Sequence, residues 1–399
     1  MTEITAPAAR APAPHWLNDQ RIRVYSAIVL GIFVVAYLGL IALSLPDFVD
    51  PRGKPVGYDF IAFWSAAWLA LKGRPEAAFD WQALAAAHQA AVPALRPFTL
   101  FLWHYPPTFL LFVLPLGCLP YLAALGVFLA GSIAAWAALI RRIVPDRSYW
   151  IAAAAMPAGL VNVFHGQNGF LTAAIAGFAL LLLETQPVLA GVLIGLMAIK
   201  PHLAILFPAA LIASGNWRAF IAAAVTAIVF SLASVAAFGW ETLAAFIHDM
   251  PSAGNLIDQG FLPWGMMPSP YVFALALGAP HSVAWALQGA GALAAMVGVW
   301  VAWRSPTAPF AARAAVLMTG ALLISPYIFY YDMTWAGLAV GWLAVYGARI
   351  GFWRGEREIL LAAWIAPLLM LPIYKVTSVQ AGCIALLALF VVALRRAKE

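Results

Sequence analysis

The chain has 399 residues, of which 64% are hydrophobic and 10% are charged, and its mean hydropathy is +0.90. Soluble domains carry about 25% charged residues, so this composition excludes an ordinary soluble protein and predicts a chain that lies largely within a membrane. The net charge of +6 comes from short Lys and Arg clusters at the ends of apolar segments. Such clusters suit anionic lipid headgroups and exclude a nucleic-acid-binding surface.

The N-terminal region predicts one membrane anchor. Residues 1–20 are rich in Ala and Pro and predict a disordered arm. Arg21 and Arg23 then precede an apolar run of 22 residues, 24–45, which is long enough to span a bilayer and too long for the core of a signal peptide. We therefore predict an anchor that is retained in the inner (plasma) membrane, with the N-terminus in the cytoplasm.

The longest polar interval, residues 46–104, follows this anchor directly. Two stretches in it, 60–72 and 81–91, combine helical spacing of apolar residues with tryptophan, which predicts interfacial amphipathic helices in the first extracytoplasmic loop. The loop either covers a site at the membrane surface or is purely structural. Asp59 precedes the first of these helices, and a carboxylate there is either the N-cap of the helix or a functional group. The two roles are compatible.

Apolar segments alternate with short polar turns through the rest of the chain. We assign the predicted spans to about 104–119, 121–140, 149–164, 170–183, 188–199, 202–213, 217–238, 283–303, 309–327, 333–347, 358–373 and 376–394. Together with the anchor they predict an all-α polytopic integral membrane protein with about 12 or 13 transmembrane segments. Strict alternation would place Arg141-Arg142 outside, so we expect one short segment to be re-entrant.

Two polar interruptions between these segments carry side chains suited to binding. His165-Gly166-Gln167-Asn168-Gly169 is a polar turn that can hydrogen-bond a sugar or a phosphate, although such a cluster is also typical of an ordinary turn. Lys200-Pro201-His202 separates two short segments. Because a charge in hydrocarbon costs several kcal/mol, either a broken helix brings Lys200 to a water-filled cavity or its side chain extends to an interface.

A second polar loop, residues 239–270, contains His248 and Asp249. Further along, Tyr330-Tyr331-Asp332 opens a segment in which Asp332 is another possible helix cap and the tyrosines are typical of an interfacial belt. The sequence contains no Walker A loop, G-x-G-x-x-G, H-E-x-x-H, zinc-spaced cysteine pair or G-x-S-x-G motif. This excludes a nucleotide-fuelled pump on one chain and argues against a zinc or serine hydrolase.

Several short motifs occur in an order that resembles a known family. They are Gly57-Tyr58-Asp59-Phe60, Tyr105-Pro106-Pro107, Gly166-Gln167-Asn168-Gly169, Ala198-Ile199-Lys200-Pro201, and Ser325-Pro326-Tyr327 with Tyr331-Asp332. Over residues 24–395 they resemble glycosyltransferase family 87, a polytopic group that includes polyprenol-phosphate-mannose-dependent mannosyltransferases and is similar to the wider GT-C superfamily. The resemblance implies a single GT-C-like transmembrane domain over residues 21–399 and a donor sugar carried on a lipid phosphate.

The resemblance also implies that Asp59, in the first extracytoplasmic loop, is the catalytic base. Many GT-C enzymes have a D-x-D-like acidic pair, whereas this loop offers only Asp47 and Asp50, with two residues between them, before Asp59. We therefore predict no cofactor and no obligatory metal. A polyprenyl phosphate is a good leaving group, so one base that takes the proton of the acceptor hydroxyl is sufficient and inverts the anomeric centre.

The other predicted site residues form a basic and hydrogen-bonding pocket around this base. We expect Lys200, His202, Arg52 and Lys54 to hold the donor phosphate. We expect the sugar or the acceptor to contact His165, Gln167, Asn168, His104, Tyr105, His248, Asp249, Tyr331 and Asp332. The predicted partners are a polyprenyl-phosphate sugar donor, a lipid or glycan acceptor and membrane lipids, at a site that faces the periplasm or the outside.

A transporter or flippase of a lipid-linked sugar or another amphiphile is the alternative function. The interrupted segments around Lys200 suit it, since transporters bind anions at broken helices. The lack of an inverted repeat and the long aromatic loop after the anchor argue against it. The sequence therefore favours a hexosyltransferase.

Overall fold

The computed structural model describes residues 15–97, 99 and 101–399. This part of the chain forms eighteen α-helices joined by 3-10 turns and loops, and it contains no β-strand, which confirms the predicted all-α class. The helices are α1 (Asp19–Ser44), α2 (Phe60–Leu71), α3 (Trp81–Ala91), α4 (Pro107–Val113), α5 (Tyr121–Ile143), α6 (Trp150–Ala154), α7 (Pro157–His165), α8 (Gly169–Leu182), α9 (Pro187–Leu196), α10 (Leu206–Ala213), α11 (Trp217–Phe238), α12 (Trp240–Asp258), α13 (Pro270–Ala276), α14 (His281–Arg304), α15 (Phe310–Leu323), α16 (Thr334–Ile350), α17 (Glu356–Thr377) and α18 (Ala381–Arg396).

Most of the predicted N-terminal arm, residues 1–14, lies outside the described residues. The arm is shorter than expected, because α1 begins at Asp19 rather than after residue 20. The side chain of Asn18 accepts a hydrogen bond from the backbone N–H of Arg21, which is the usual way to satisfy a free donor at a helix start.

Five helices within the described residues are long and apolar enough to cross a membrane, namely α1, α5, α11, α14 and α17. The other apolar helices of the described chain are shorter. Proline explains part of this division, because it cannot donate to the preceding turn. The predicted span 149–164, for example, divides into α6 and α7 where Pro157 begins the second helix. The total of 12 or 13 segments stays a prediction.

Helix α2 differs from the amphipathic surface helix that its apolar spacing predicts. Nine of its twelve residues are buried, including Phe60, Phe63 and Trp64. The reason is that neighbours cover it on several sides, since α2 packs against α3, α4, α5 and the 3-10 turns Pro75–Phe79 and Leu114–Cys118. Helix α2 is therefore the centre of a second hydrophobic core and not a half-exposed element.

The second polar loop, residues 239–270, is also more ordered than the sequence indicates. It contains α12, a helix of 19 residues that continues through an internal proline, Pro251. Large apolar side chains on α12 are exposed, among them Trp240, Ile247 and Met250. A helix with such an exposed apolar side suits a membrane interface.

Basic residues gather near the start of α1. The guanidinium of Arg357 donates to the backbone oxygen of Leu17 over 3.2 Å, and α1 packs against α6. The guanidinium groups of Arg141 and Arg147 lie 5.3 and 5.7 Å from the ring centre of Trp150, the first residue of α6. Arg396, in the last turn of α18, pairs with Glu356, the first residue of α17. The ends of α5 and α18 and the starts of α1 and α17 thus form one basic end of the molecule.

The first polar loop lies at the other end of α1. Helix α5 starts beside this loop, where the hydroxyl of Tyr121 donates to the backbone oxygen of Val56 over 2.6 Å. From there α5 runs back to Arg141 at the basic end. The intervening segment 104–119 contacts α2 near both ends of the segment. The ring of Tyr105 packs edge-on against the ring of Phe63, and Nε1 of Trp64 donates to the backbone oxygen of Leu119. That one of the short segments is re-entrant stays a prediction.

Candidate active site

A cavity of about 1280 Å³ opens beside the C-terminal half of α1. Its wall combines apolar residues of α1 with polar residues of the first loop, the end of α7 and the stretch before α16. Eight of the predicted site residues line it, namely Arg52, Lys54, Asp59, His104, Tyr105, His165, Gln167 and Tyr331. The remaining six, Asn168, Lys200, His202, His248, Asp249 and Asp332, do not line it.

A tight turn in the first loop presents Asp59 to this cavity. Both residues before Asp59 have positive φ, +83° at Gly57 and +35° at Tyr58. A non-glycine residue with positive φ is uncommon, and here the side chain of Tyr58 is tied down by its hydroxyl, which donates to Oδ2 of Asp50 over 2.8 Å. Burial and this hydrogen bond raise the pKa of Tyr58 to about 12, so it stays a donor at neutral pH.

The polar turn after α7 packs directly on this stretch. Gly166 has φ +59°, and a Cβ atom at this position would lie 2.5 Å from the Cβ of Phe60 and 2.8 Å from the oxygen of Gly57. Only glycine allows both the backbone conformation and this close approach. The contact places the side chains on either side of the glycine, His165 and Gln167, next to Asp59.

Asp59 is bound by two donors at a single oxygen. Its Oδ2 lies 3.1 Å from Nδ1 of His165 and 3.0 Å from Nε2 of Gln167. Among the described residues none forms a hydrogen bond with Oδ1, and the side chain is 27% exposed. The alternative role as a helix cap is wrong, because the carboxylate makes no capping hydrogen bond with α2. Asp59 therefore holds one carboxylate oxygen free in the cavity.

Two tyrosine hydroxyls form hydrogen bonds with these two donor residues, His165 and Gln167. Nε2 of His165 lies 2.7 Å from the hydroxyl of Tyr330, and the hydroxyl of Tyr105 donates to Oε1 of Gln167 over 3.1 Å. Tyr330 was not among the predicted site residues, although it precedes the Tyr331-Asp332 motif directly. Since both ring nitrogens of His165 already have partners, His165 supports Asp59 rather than binding a sugar through its ring nitrogens.

Lys200 does not reach the cavity, contrary to both expectations for it. Its Nζ lies 2.5 Å from Oδ1 of Asp332 and 3.2 Å from Oδ1 of Asn168, and the side chains of the ion pair are only 4% and 1% exposed. Oδ2 of Asp332 accepts from the backbone N–H of Phe329, so this carboxylate also satisfies the start of the turn Tyr330–Met333. The charge of Lys200 is therefore balanced inside the protein by Asp332, without contact with a water-filled cavity.

Of the other residues predicted to bind the donor phosphate, two line the cavity and one does not. Arg52 and Lys54 line the cavity with exposed side chains, and Asp50 fixes their turn by accepting both of their backbone N–H groups, each within 2.9 Å. His202 lies behind the wall, in an edge-on contact with Tyr327. Arg52 and Lys54 are thus the predicted phosphate ligands that the cavity retains.

The loop helix α12 brings one carboxylate close to the wall. Nδ1 of His104 lies 3.0 Å from Oδ2 of Asp249, and the hydroxyl of Ser252 donates to the other oxygen of Asp249 over 2.7 Å. Asp249 thus contacts His104 and does not line the cavity. Its neighbour His248 is exposed. The predicted contacts of Asp249 and His248 with a substrate are therefore not supported by their positions.

Comparison with known proteins identifies the family. A model of glycosyltransferase family 87 matches residues 103–326, a region that contains the turn after α7 and the broken segment at Lys200 and begins after Asp59. No curated protein and no solved structure matches the chain. The family indicates a membrane glycosyltransferase, which agrees with the all-helical fold and the five long apolar helices. Because the matched region covers more than half of the sequence, the chain belongs to glycosyltransferase family 87.

Proposed function

We propose that this protein transfers a hexose, with mannose as the first candidate, from a polyprenyl-phosphate-linked donor to a lipid or glycan acceptor at the extracytoplasmic face. The observation that carries the proposal is the carboxylate of Asp59, which lines a large cavity with Oδ1 free of protein hydrogen bonds among the described residues. The family membership favours a transferase over the transporter that the sequence left open.

The chemistry requires one base. The acceptor hydroxyl attacks the anomeric carbon from the face opposite the phosphate, a new C–O bond forms, and the bond to the phosphate oxygen breaks with its electron pair. The proton of the acceptor goes to Oδ1 of Asp59. The departing phosphate monoester needs charge stabilisation rather than a general acid, which distinguishes this reaction from the hydrolysis of an ordinary glycoside. The outcome is inversion at the anomeric carbon.

Arg52 and Lys54 are the proposed phosphate ligands. They belong to the same turn, their side chains are exposed, and they share the cavity wall with Asp59. Cations that meet a phosphate where its charge grows stabilise the transition state more than the ground state. In this proposal they replace Lys200 and His202, which the fold keeps off the wall.

The apolar part of the wall suits the lipid chain of a polyprenyl donor. Helix α1 contributes Phe33, Ala36, Leu40 and Leu43 to the cavity, and almost no other side of this helix is covered by protein. A cavity that borders a loosely covered membrane helix is accessible to an isoprenoid that lies in the bilayer. Phosphate ligands and an apolar wall in one cavity match an amphiphilic donor.

The test compares wild-type protein with Asp59→Asn, using a panel of labelled polyprenyl-phosphate hexoses and membrane acceptors. We expect a loss of turnover of at least about a hundredfold, because the amide cannot take the proton. Asp47→Asn is the matched control, since Asp47 is an exposed acid of the same loop outside the cavity wall and should leave turnover unchanged. Full turnover in Asp59→Asn, or no transfer by the wild type from any of these donors, would contradict the proposal.

A further inference from the structure

We propose that Tyr330 and Tyr105 are positioning residues that direct the two donors of His165 and Gln167 onto one oxygen of Asp59 and so keep the other oxygen free as the base. The inference rests on the proposed function in one respect, the use of Asp59 as the base. It concerns two hydroxyl groups that do not touch the reacting atoms. Two chains of hydrogen bonds carry it, one through each donor.

The histidine chain fixes a tautomer. An ionised carboxylate only accepts hydrogen bonds, so the nitrogen that faces Asp59, Nδ1 of His165, carries the proton. In a neutral imidazole Nε2 is then an acceptor, and the hydroxyl of Tyr330 at 2.7 Å fills it. Burial raises the pKa of Tyr330, with the charge of Asp59 adding to the effect, so this hydroxyl remains a donor.

The glutamine chain fixes an amide orientation. Oε1 of Gln167 accepts from the hydroxyl of Tyr105 at 3.1 Å and from the backbone N–H of Asn168 at 3.3 Å. With the oxygen held by these two donors, the amide nitrogen faces Asp59 and donates to it at 3.0 Å. The hydroxyl of Tyr105 is the donor in this contact, because an amide oxygen only accepts hydrogen bonds.

The two chains end on the same atom, Oδ2 of Asp59. A reversed tautomer or a flipped amide would present a lone pair to the carboxylate, which would repel it, so the carboxylate favours the arrangement in which both neighbours donate. The two tyrosine hydroxyls hold that arrangement in place by donating to the acceptors it leaves, Nε2 of His165 and Oε1 of Gln167. Two directional bonds on one oxygen hold the carboxylate plane and leave Oδ1 for the acceptor hydroxyl. When Oδ1 takes the proton, no proton moves along either chain.

A double-mutant cycle separates this role from a purely structural one. Tyr330→Phe in the wild-type background should lower kcat about tenfold, with the KM for the donor within about twofold, since one orienting hydrogen bond is lost. His165→Asn keeps a donor at the place of Nδ1 but cannot reach Tyr330. In that background Tyr330→Phe should cause no further loss of kcat. An equal loss in both backgrounds would overturn the inference.

A second measurement does not depend on turnover. The chain has only seven histidines, so ¹⁵N-histidine labelling with solid-state NMR can report the His165 tautomer, assigned by its absence in His165→Asn. We expect a neutral ring protonated at Nδ1 in the wild type and a changed protonation state in Tyr330→Phe. A ring protonated at Nε2 in the wild type, or a spectrum that Tyr330→Phe does not alter, would refute the role of Tyr330.

Controls distinguish this inference from the proposed function. Tyr271→Phe removes a hydroxyl that donates to Asp258 over 2.6 Å outside the cavity wall, so kcat and the His165 signal should stay unchanged. Tyr105→Phe tests the second chain and should lower kcat with little change in KM. If the wild type transfers no sugar, the proposed function fails and the wild-type spectrum still decides the tautomer. If it transfers sugar but the cycle shows equal losses, only the inference fails.

Discussion

Lys200 and Asp332 form an ion pair whose side chains are almost completely buried. A buried pair is a weak contributor to net stability, because both charges lose their hydration, but an unpaired charge left behind is very unfavourable. The pair joins the broken segment between α9 and α10 to the turn before α16, two regions that are 132 residues apart. The residue that most resembled a ligand in sequence is thus a structural link.

Removing one partner should destabilise the fold. We expect Asp332→Asn to lower the free energy of unfolding by about 3–5 kcal/mol, because the Lys200 ammonium stays buried without its counter-charge. The double variant Lys200→Met/Asp332→Asn should recover part of this loss. Thermal unfolding in detergent measures both, with Lys72→Met, an exposed lysine, as the neutral control. Unchanged stability in Asp332→Asn would show that the pair is not formed.

His88, on α3, gives the first loop a pH-dependent stability. Its ring is buried between the hydroxyl of Ser65, 2.8 Å from Nδ1, and the backbone of Phe101. Burial lowers the pKa of His88 from 6.5 to about 4. The unfolded chain therefore takes up this proton before the folded chain does, and stability should fall as the pH drops from about 6.5 to about 4, by on the order of 2–3 kcal/mol.

Unfolding of wild type and His88→Gln at a series of pH values tests this contribution. The variant has no titrating ring, so its stability should change less over the same range, even if its value at neutral pH is lower. Parallel curves for the two proteins would mean that the ring of His88 does not remain neutral in the folded state.

At the scale of elements, α9 and α11 show how a short helix packs against a long one within this protein. Gly191 and Gly195 lie four residues apart on the face of α9 that meets α11. A Cβ atom at Gly191 would lie 2.3 Å from the backbone oxygen of Ala219, and one at Gly195 would lie 2.5 Å from the Cβ of Thr226. Small residues at this spacing let two helix backbones approach closely, which is a frequent way of packing helices in membranes.

Filling this contact should separate the two helices. We expect Gly191→Ala to destabilise the protein by on the order of 1–3 kcal/mol, since the clash is with backbone and cannot be relieved by a rotamer change. Gly126→Ala is the matched control, because Gly126 is also inside a helix, α5, but has open space around it. The comparison requires thermal unfolding in the same detergent. Equal melting temperatures for Gly191→Ala and wild type would contradict this packing.

The sequence predicted the positions of most helices but not their environments. Helix α2 was expected within one residue of its observed end, yet its burial on nearly all sides was not, because burial depends on elements that come later in the chain. Helix α12 was not predicted from the sequence at all. Its polar residues and Pro251 resemble a loop, whereas the structure shows a helix that packs along the first loop, where Phe246 contacts Phe79.

At the scale of the whole molecule, the positions of charge predict its orientation. The basic end at the start of α1 and the cavity at its other end are separated by the length of a membrane-spanning helix. Lys and Arg are enriched on the cytoplasmic side of membrane proteins. Arg141 and Arg142, which strict alternation of the predicted spans would place outside, lie at this basic end. We therefore predict that the cavity faces the outside.

Cysteine labelling in intact cells tests this orientation. In a Cys118→Ser background, which removes the exposed native thiol, Lys54→Cys should react with a membrane-impermeant maleimide added outside. Arg142→Cys should react only after the membrane is permeabilised. The reverse pattern would place the cavity in the cytoplasm and would contradict transfer at the extracytoplasmic face.

The sequence by itself determined the membrane class, the helical fold, most helix positions and the motifs of the family. These depend on composition, on local hydropathy and on neighbours along the chain, which a sequence states directly. It also marked Asp59 and the His165–Gly169 turn as candidates, because polar residues are few in an apolar chain.

Only the tertiary structure decided which of these candidates meet. The contact between Asp59 and His165 joins residues 106 apart, and the contact between His165 and Tyr330 joins residues 165 apart. The same folding turned Lys200 inward to Asp332 and left Arg52 and Lys54 on the cavity wall. The physical reason is that a side chain's role follows from the partners that satisfy its charge and hydrogen bonds, and in this protein those partners come from distant helices.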